Sequence, residues 1–296
     1  MVVALNAADT IQRTLSSVIE QGIRDLELLV LDGGSTDGTV DVIRRHDDRI
    51  GFWRSAPDGG PTNAINEGIN RSIGDVICIL PGDDWLEPGS IERVVRTFAD
   101  DPELDVLSCG ARYVKFDVDG QMHVDRSFTT PEVLDFNLRN VLHNPLTGSR
   151  FMRRRVYERF GGHSQDFKFG DYDFLIRVCL GKVKSAVLPE LTYTYRRHAG
   201  STTLGGNPVM TMLMAQQRVM LASKYLKRDD LEDNERKLFL AAHGRSSLRY
   251  AWMSLRRGRF RITMQVIVEA IRTNPLWPLQ SAGWLLQWLS GRRSAA

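Results

Sequence analysis

Apolar positions in the first half of the chain alternate between two periods. Val2 to Leu5 is a short apolar run that predicts a strand. Ile11, Leu15, Val18 and Ile19 follow at spacings that place them on one face of a helix. Asp9 stands where a side chain could cap that helix, and Gly22 where it would stop. Leu26 to Leu31 predicts a second strand, running into Asp32-Gly33-Gly34-Ser35 and a helix that opens near Thr36. A strand around Phe52 and Trp53 leads to the turn Pro57-Asp58-Gly59-Gly60, then to a helix marked by Ile65, Gly68, Ile69 and Ser72. Val76 to Leu80 is apolar throughout and ends in Pro81-Gly82-Asp83-Asp84. Strands and helices alternating in this way predict an α/β fold with a doubly wound, mostly parallel sheet. Ligands in such sheets bind beyond the carboxyl ends of the strands, where Asn6, Asp32 and the pair Asp83-Asp84 all fall.

From Asp105 to about Arg197 the pattern is mixed, with short strands, a turn at Asp117 to Gly120, a helix near Pro131 to Asn140 and another beginning at Asp171. Beyond Gly205 only helical periodicity remains. Its faces include Met210, Leu213, Met214 and Gln217, then Phe260, Met264, Ile267 and Ile271. The expected organisation is a domain over residues 1–204, in halves of about 1–110 and 111–204, followed by a helical region over 205–296. No internal repeat or low-complexity tract interrupts it.

Composition narrows the class. With 296 residues, 42% hydrophobic and 25% charged, the chain can bury a full core and is neither disordered nor fibrous. The net charge of +3 hides an asymmetry: residues 205–296 hold 15 Lys/Arg against 6 Asp/Glu, leaving 24 against 30 for the rest. An acidic body thus bears a basic tail. Those arginines share helices with apolar faces and match no recognition module, so nucleic acid is not an expected partner. Cys78, Cys109 and Cys179 lie in apolar stretches without metal-binding spacing and read as buried thiols in a reducing cytosol. Neither a signal peptide nor a membrane-spanning run is legible, and a cytoplasmic location is expected.

Two adjacent carboxylates after a buried strand repel each other and lose solvation unless a cation sits beside them. Asp83 and Asp84 are therefore candidate ligands for Mg²⁺ or Mn²⁺, hard cations that in turn neutralise a diphosphate. The bland alternative is a helix N-cap with a spare acid. The loop Asp32-Gly33-Gly34-Ser35-Thr36-Asp37-Gly38-Thr39 puts a carboxylate at a strand end, where it could accept a bond from a nucleobase, among glycines that let backbone approach a ligand. Its alternative is a plain turn in which Ser35 or Thr36 caps the next helix. The loop is not a GxGxxG fingerprint, which speaks against a dinucleotide site.

Four segments in register, Leu5-Asn6-Ala7-Ala8-Asp9-Thr10-Ile11, LELLVLDGGSTDGT, FWRSAPDGGPTNAINEGI and IGDVICILPGDDW, resemble family-2 glycosyltransferases, most closely the branch of bacterial polysaccharide and O-antigen assembly. The resemblance covers most of the first two hundred residues. It implies a GT-A fold, a nucleoside diphosphate-sugar donor such as a UDP-sugar, a saccharide or lipid-linked acceptor, and inversion at the anomeric carbon. Matched position by position, it implies that Asn6 lies by the nucleotide, Asp32 near the base, Asp83 by the ribose and metal, and Asp84 on the metal. Two positions depart from the family: Gly33 and Pro81 stand where acids are common. Gly170-Asp171-Tyr172-Asp173 resembles the acceptor-side segment, which makes Asp171 the expected general base, with Gly170 in place of the usual Glu. An N-cap role is the alternative for Asp171. Tyr195-Arg196-Arg197-His198 resembles the closing stretch near the diphosphate, which selects Arg196 and His198. Competing readings are a sugar nucleotidyltransferase, which lacks here the expected basic Gly-rich loop, and a non-catalytic binding subunit, against which Asp84 and Asp171 argue.

Trp277, Trp284 and Trp288, with Arg292 and Arg293 beyond, could lay residues 275–293 on the inner face of an anionic membrane as a peripheral contact. Packing of that helix back onto the protein is the alternative.

Overall fold

Val2 and Val30, both without exposed surface, pair across parallel strands β1 (Val2–Ala4) and β2 (Leu29–Asp32). They belong to a computed structural model that describes residues 1–143, 148–201 and 206–289, with the backbone alone for 285–289. The chain divides into two compact units, Met1–His198 and Ala199–Ala296.

In the first unit β3 (Phe52–Ser55) pairs with β2, and β5 (Leu80–Pro81) with β1, giving a parallel sheet in the order β3-β2-β1-β5. Its two faces are covered by different helices. Ile11 and Leu15 of α1 (Ile11–Ile19) and Ile43 of α2 (Thr39–Arg44) join Val2 and Val30 in one core, whereas Ala64 of α3 (Pro61–Arg71) packs with Leu29 and Leu31 on the other side. This is the doubly wound parallel frame predicted by the alternation, since successive residues of a strand point to opposite faces. The helix starts differ from expectation. Thr10, not Asp9, precedes α1, and its hydroxyl is spent on the carbonyls of Ala7 and Gly82. The second helix waits for Gly38, whose φ of 96° ends the loop that Asp32 begins.

The apolar run Val76 to Leu80 is divided between two sheets. β4 (Val76–Cys78) pairs antiparallel with β9 (Arg150–Arg153), while β5 enters the parallel sheet. The second sheet has the order β4-β9-β7-β10-β6, where β6 is Trp85–Leu86, β7 Val106–Phe116 and β10 Ser185–Arg196, with β8 (Met122–Phe128) on β7. Only β7 and β10 are parallel neighbours in it. Helices α4 (Ser90–Asp100), α5 (Pro131–Leu134), α6 (Leu138–His143), α7 (Arg154–Phe160) and α8 (Gly170–Leu180) connect these strands. The helix expected near Pro131 to Asn140 is thus two short ones, α5 and α6.

The described part of the second unit is helical: α9 (Pro208–Leu226), α10 (Asp233–Leu255), α11 (Phe260–Thr273) and α12 (Trp277–Leu289). Asn207 caps α9 by accepting from Val209 and Met210, and Glu232 with Glu235 forms a reciprocal capping box on α10. α9 buries Met212, Ala215, Val219 and Ala222, one register away from the face read in the sequence. α11 buries Thr263, Val266 and Ala270 and packs Ile267 partly against the same core, but leaves Phe260, Met264 and Ile271 of the expected face exposed. Trp277 is only 5% exposed and donates its indole N–H to the Gly244 carbonyl at 2.9 Å. A Cβ on Gly244 would lie 2.9 Å from both Trp277 and Trp284, so these two tryptophans of α12 pack onto α10. The Trp288 side chain and Arg292 and Arg293 lie outside the described residues. Among the described residues no helix is long and apolar enough to cross a membrane.

Candidate active site

The loops after β1 and β2 are joined by hydrogen bonds at their tips. Asn6, at a positive φ of 49°, donates its backbone N–H to Ser35 Oγ at 2.7 Å, and its Oδ1 accepts from Thr36 N at 3.0 Å. Ala7 and Ala8 donate in the same direction, to Thr39 Oγ1 and Asp37 Oδ2. Left-handed backbone at a non-glycine residue costs free energy, and these bonds hold Asn6 there.

Asp32 lies beneath these loops with no exposed surface. Its Oδ2 accepts from Gly34 N at 3.1 Å, Ser35 N at 2.9 Å and Ser55 Oγ at 2.5 Å, and its Oδ1 accepts from Ser35 Oγ. Such a carboxylate shapes the loop from within. Gly34, at φ 88°, brings this loop against Pro57, where a Cβ would lie 3.0 Å from the Pro57 nitrogen. Across the loop Asp58 accepts from Gly60 N at 2.8 Å, and one of its oxygens lies 3.3 Å from the position a Cβ on Gly33 would take. An acid therefore stands beside the position where Gly33 supplies none. Arg54 anchors the region by donating to the Asp32 and Ala56 carbonyls and pairing with Glu67 at 2.7 Å.

The acidic pair sits where the two sheets meet. Gly82 N–H continues the β5 pairing by donating to Val3 O at 2.8 Å, and Thr10 and Thr14 hydroxyls hold the carbonyls of Gly82 and Asp84. β6 then runs antiparallel to β10, with Trp85 opposite Thr194 and Leu86 opposite Tyr193. This register carries the residues before Trp85 past those after Thr194. Asp84 accepts from Arg196 N at 2.9 Å and from the Tyr193 hydroxyl, and Asp83 meets His198 with Oδ2 to Nε2 at 2.8 Å.

The two acids thus differ in setting. Asp84 has no exposed surface, and burial, then the neighbouring Asp83 charge, raises its pKa well above the usual carboxylate range. The side chains of Asp83 and His198 are 28% and 37% exposed. An oxygen and an imidazole nitrogen at one exposed point are donors that Mg²⁺ or Mn²⁺ accepts, and such ions usually take few protein ligands and complete their shell with phosphate oxygens and water. The residues fit a cation in that manner. Among the described residues no group of three or more His, Cys, Asp or Glu forms a protein-only cage. Asp84, expected on the metal itself, is fully buried and both of its oxygens accept from protein donors. Arg196 stacks 5.2 Å above the Phe116 ring, with Arg13 on the same ring at 5.7 Å and on Trp85 at 3.5 Å.

Asp171 occupies the first turn of α8, half-buried, near enough to the buried Arg150 to raise that guanidinium's pKa against the larger lowering effect of burial. Asp173 points elsewhere: it is buried and pairs with Arg177 at 3.0 Å, and that guanidinium also donates to the carbonyls of Phe160 and Gly162. The sharp approach at Gly170 leaves no room for a side chain, since a Cβ would lie 2.0 Å from Ser164 O. Tyr193, Asp58, Ser35 and Arg150 are contributors that the sequence reading missed. Nothing in a one-dimensional pattern marks the Tyr193 contact with Asp84, made 109 positions away.

Comparison with known proteins bears on this site. The family model described as glycosyl transferase family 2 matches residues 1–161. The chondroitin synthase of Pasteurella multocida is 28% identical over 208 residues, covering 68% of this chain but 20% of the synthase. An uncharacterized glycosyltransferase of Mycobacterium tuberculosis is 28% identical over 184 residues, 60% of this chain and 67% of that protein. Thus the chain spans about a fifth of the synthase and two thirds of the mycobacterial relative. Among solved structures, S. aureus TarS 1-349 in complex with UDP-GlcNAc superposes with a TM-score of 0.60 at 16% identity, covering 93% of this chain and 89% of that one. The mannosyltransferase PcManGT of Pyrobaculum calidifontis, in complex with GDP-Man and Mn²⁺, gives 0.60 at 18% identity, with coverages of 97% and 79%. Both likenesses are of fold, and that fold is GT-A.

Proposed function

The chain belongs to glycosyl transferase family 2, and from that premise we propose that it is a metal-dependent, inverting transferase that moves a sugar from a nucleoside diphosphate, a UDP-sugar in the first instance, to a saccharide or lipid-linked acceptor. The observation that carries the reading is the Asp83–His198 contact, which joins the end of β5 to the end of β10 in the exposed part of the site. In this reading residues 1–110 hold the nucleotide-sugar and 111–204 serve the acceptor. A saccharide acceptor accords with the chondroitin synthase among the relatives, and a UDP-sugar with the UDP-GlcNAc held by TarS.

Each residue then has a defined task. Asn6 and the loop held by Asp32 line the nucleotide, Asp32 acting through the shape of the loop and Asp58 as the acid beside Gly33. Asp83 and His198 would hold Mg²⁺ or Mn²⁺, and a bound cation would favour the ionised form of the neighbouring Asp84. When bound, such a cation would offset the charge of the diphosphate leaving group. Arg196 lies next in the chain to that cluster and would add a cation toward the diphosphate. The acceptor hydroxyl oxygen forms the new bond to the anomeric carbon as the bond from that carbon to the diphosphate oxygen breaks, on the opposite face, and the hydroxyl proton passes to the Asp171 carboxylate. Asp171 stands in the first turn of α8, at the positive end of that helix dipole.

The test uses Asp171→Asn, which preserves shape and cannot take the proton. Transfer should fall by at least about a hundredfold while thermal stabilisation by UDP with Mn²⁺ is retained, and Asp173→Asn should keep more activity at a cost in stability. Transfer by the Asp171 variant within about tenfold of the parent would remove it as the base. Full activity of the parent in EDTA would remove the metal.

A further inference from the structure

Helix α11 has two apolar arcs, and one of them faces outward. At about 100° per residue, buried Thr263, Val266 and Ala270 fall within an arc of about 60°, and Thr263 Oγ1 donates to Ala251 O of α10 at 3.5 Å. Phe260, Met264, Val268 and Ile271 fall within about 80° on a different arc, and their exposures are 66%, 58%, 42% and 39%. Leu276 and Leu279 extend the apolar surface at 60% and 75%. A contiguous run of large exposed apolar side chains marks an interaction surface, in contrast to scattered single ones.

Charge identifies what it meets. Arg261 and Arg272 follow the stripe by about 20° to 40° on the wheel, and both are exposed, as are Arg256 and Arg259 in the turn before α11. The acids of this unit gather at the opposite end of α10: Asp229, Asp230, Glu232, Asp233 and Glu235 precede or open a helix of 23 residues, about 34 Å long. Glu269 is the acid remaining in α11, about 100° from the nearest stripe residue. Trp277 and Trp284 of α12 lie against Gly244.

We propose that the outer face of α11, continued by Leu276 and Leu279, docks on an anionic lipid surface. The apolar stripe enters the headgroup boundary, and Arg256, Arg259, Arg261 and Arg272 meet lipid phosphates. An apolar stripe bordered by arginines on a helix lying in the interface plane suits this partner, since both apolar area and charge contribute to binding. A nucleic acid would leave the stripe in water, and a protein partner would not call for arginines alone along its border. The docking is independent of the transfer reaction and is measured without donor or acceptor.

Flotation of the full chain with vesicles of phosphatidylcholine and phosphatidylglycerol at about 7:3 tests it. The parent should float with these vesicles, float at least about tenfold less with pure phosphatidylcholine, and be released in high salt. Met264→Glu with Val268→Glu should reduce flotation at least about tenfold, and Arg259→Glu with Arg261→Glu should do the same; these exposed positions should leave the far-ultraviolet circular dichroism melt unchanged. Absence of parent flotation, equal flotation with neutral vesicles, or a stripe variant that floats like the parent would overturn the proposal. So would a parent dimer that the stripe variant converts to monomer without any flotation, because a second copy would then be the occupant.

Discussion

Replacing Asp84 separates structural from chemical contributions within one carboxylate. Its side chain is fully enclosed and accepts from the buried Tyr193 hydroxyl and from Arg196 N at 2.9 Å. Asp84→Ala leaves both donors without a partner, at about 1–3 kcal/mol each, so a loss of about 2–6 kcal/mol is expected. For a domain of about 200 residues this is a drop in Tm of roughly 5–20 °C. Asp84→Asn behaves differently. Its amide oxygen can accept from Arg196 N while its NH₂ donates to the Tyr193 oxygen, leaving only the Tyr193 hydroxyl proton without a partner, so the loss should be about 1–3 kcal/mol, smaller than for Ala. What Asn lacks is charge, and Mn²⁺-dependent stabilisation by UDP should weaken. Tyr193→Phe should cost about 1–3 kcal/mol alone and little more when added to Asp84→Ala, a coupling read from a double-mutant cycle in urea. A Tm for Asp84→Ala within about 2 °C of the parent, or additive losses with Tyr193→Phe, would refute the reasoning.

Other outcomes follow from single residues. His163 is buried, and burial, then Arg177, pushes its pKa down to about 4 from the usual 6.5. Its neutral form is the folded one, so its contribution is complete above pH 6.5 and is lost as pH falls toward 4, by about 3 kcal/mol at most; His163→Leu should narrow the difference in unfolding free energy between pH 7.5 and 4.5, read from urea titrations, by about 2–3 kcal/mol. Asp58→Asn, which removes the acid beside Gly33, should weaken stabilisation by the preferred nucleotide by roughly tenfold or more in apparent Kd, measured across UDP, GDP and dTDP; an unchanged ranking and affinity would exclude Asp58 from base recognition.

The N-terminal parallel frame was legible because β1, β2 and β5 lie in short apolar runs ended by Asn6, Asp32 and Pro81-Gly82, and burial on both faces removes polar positions from such runs. The candidate acids at strand ends were legible for the same reason. The second sheet was not, since β7, β9 and β10 pair over long separations that no local period records. Nor could a continuous apolar run disclose that Val76–Cys78 and Leu80–Pro81 serve different sheets. The clearest reversal is α11. A helical wheel finds an apolar arc and does not say which way it faces; here smaller Thr263, Val266 and Ala270 turn inward and leave the bulkier arc outside. At the acidic pair, adjacency in sequence predicted a shared role, and a ladder register that passes β10 alongside gave one acid to the interior and the other to the exposed edge.

The closure at Gly170 also constrains what this chain can become. In the family resemblance an acid precedes Asp171, and here the backbone carbonyl of Ser164 occupies the space where even its first side-chain atom would stand. A one-step substitution to Glu therefore meets a steric wall, not a gradual loss of fit. Regaining that acid would first require the Ser164 segment to move, a change that has no benefit until the acid arrives. Neighbouring positions thus lock each other, and the chain is held to Gly170 ahead of Asp171. Laboratory evolution toward new acceptors should accordingly sample changes around Ser164 before any at position 170 persist.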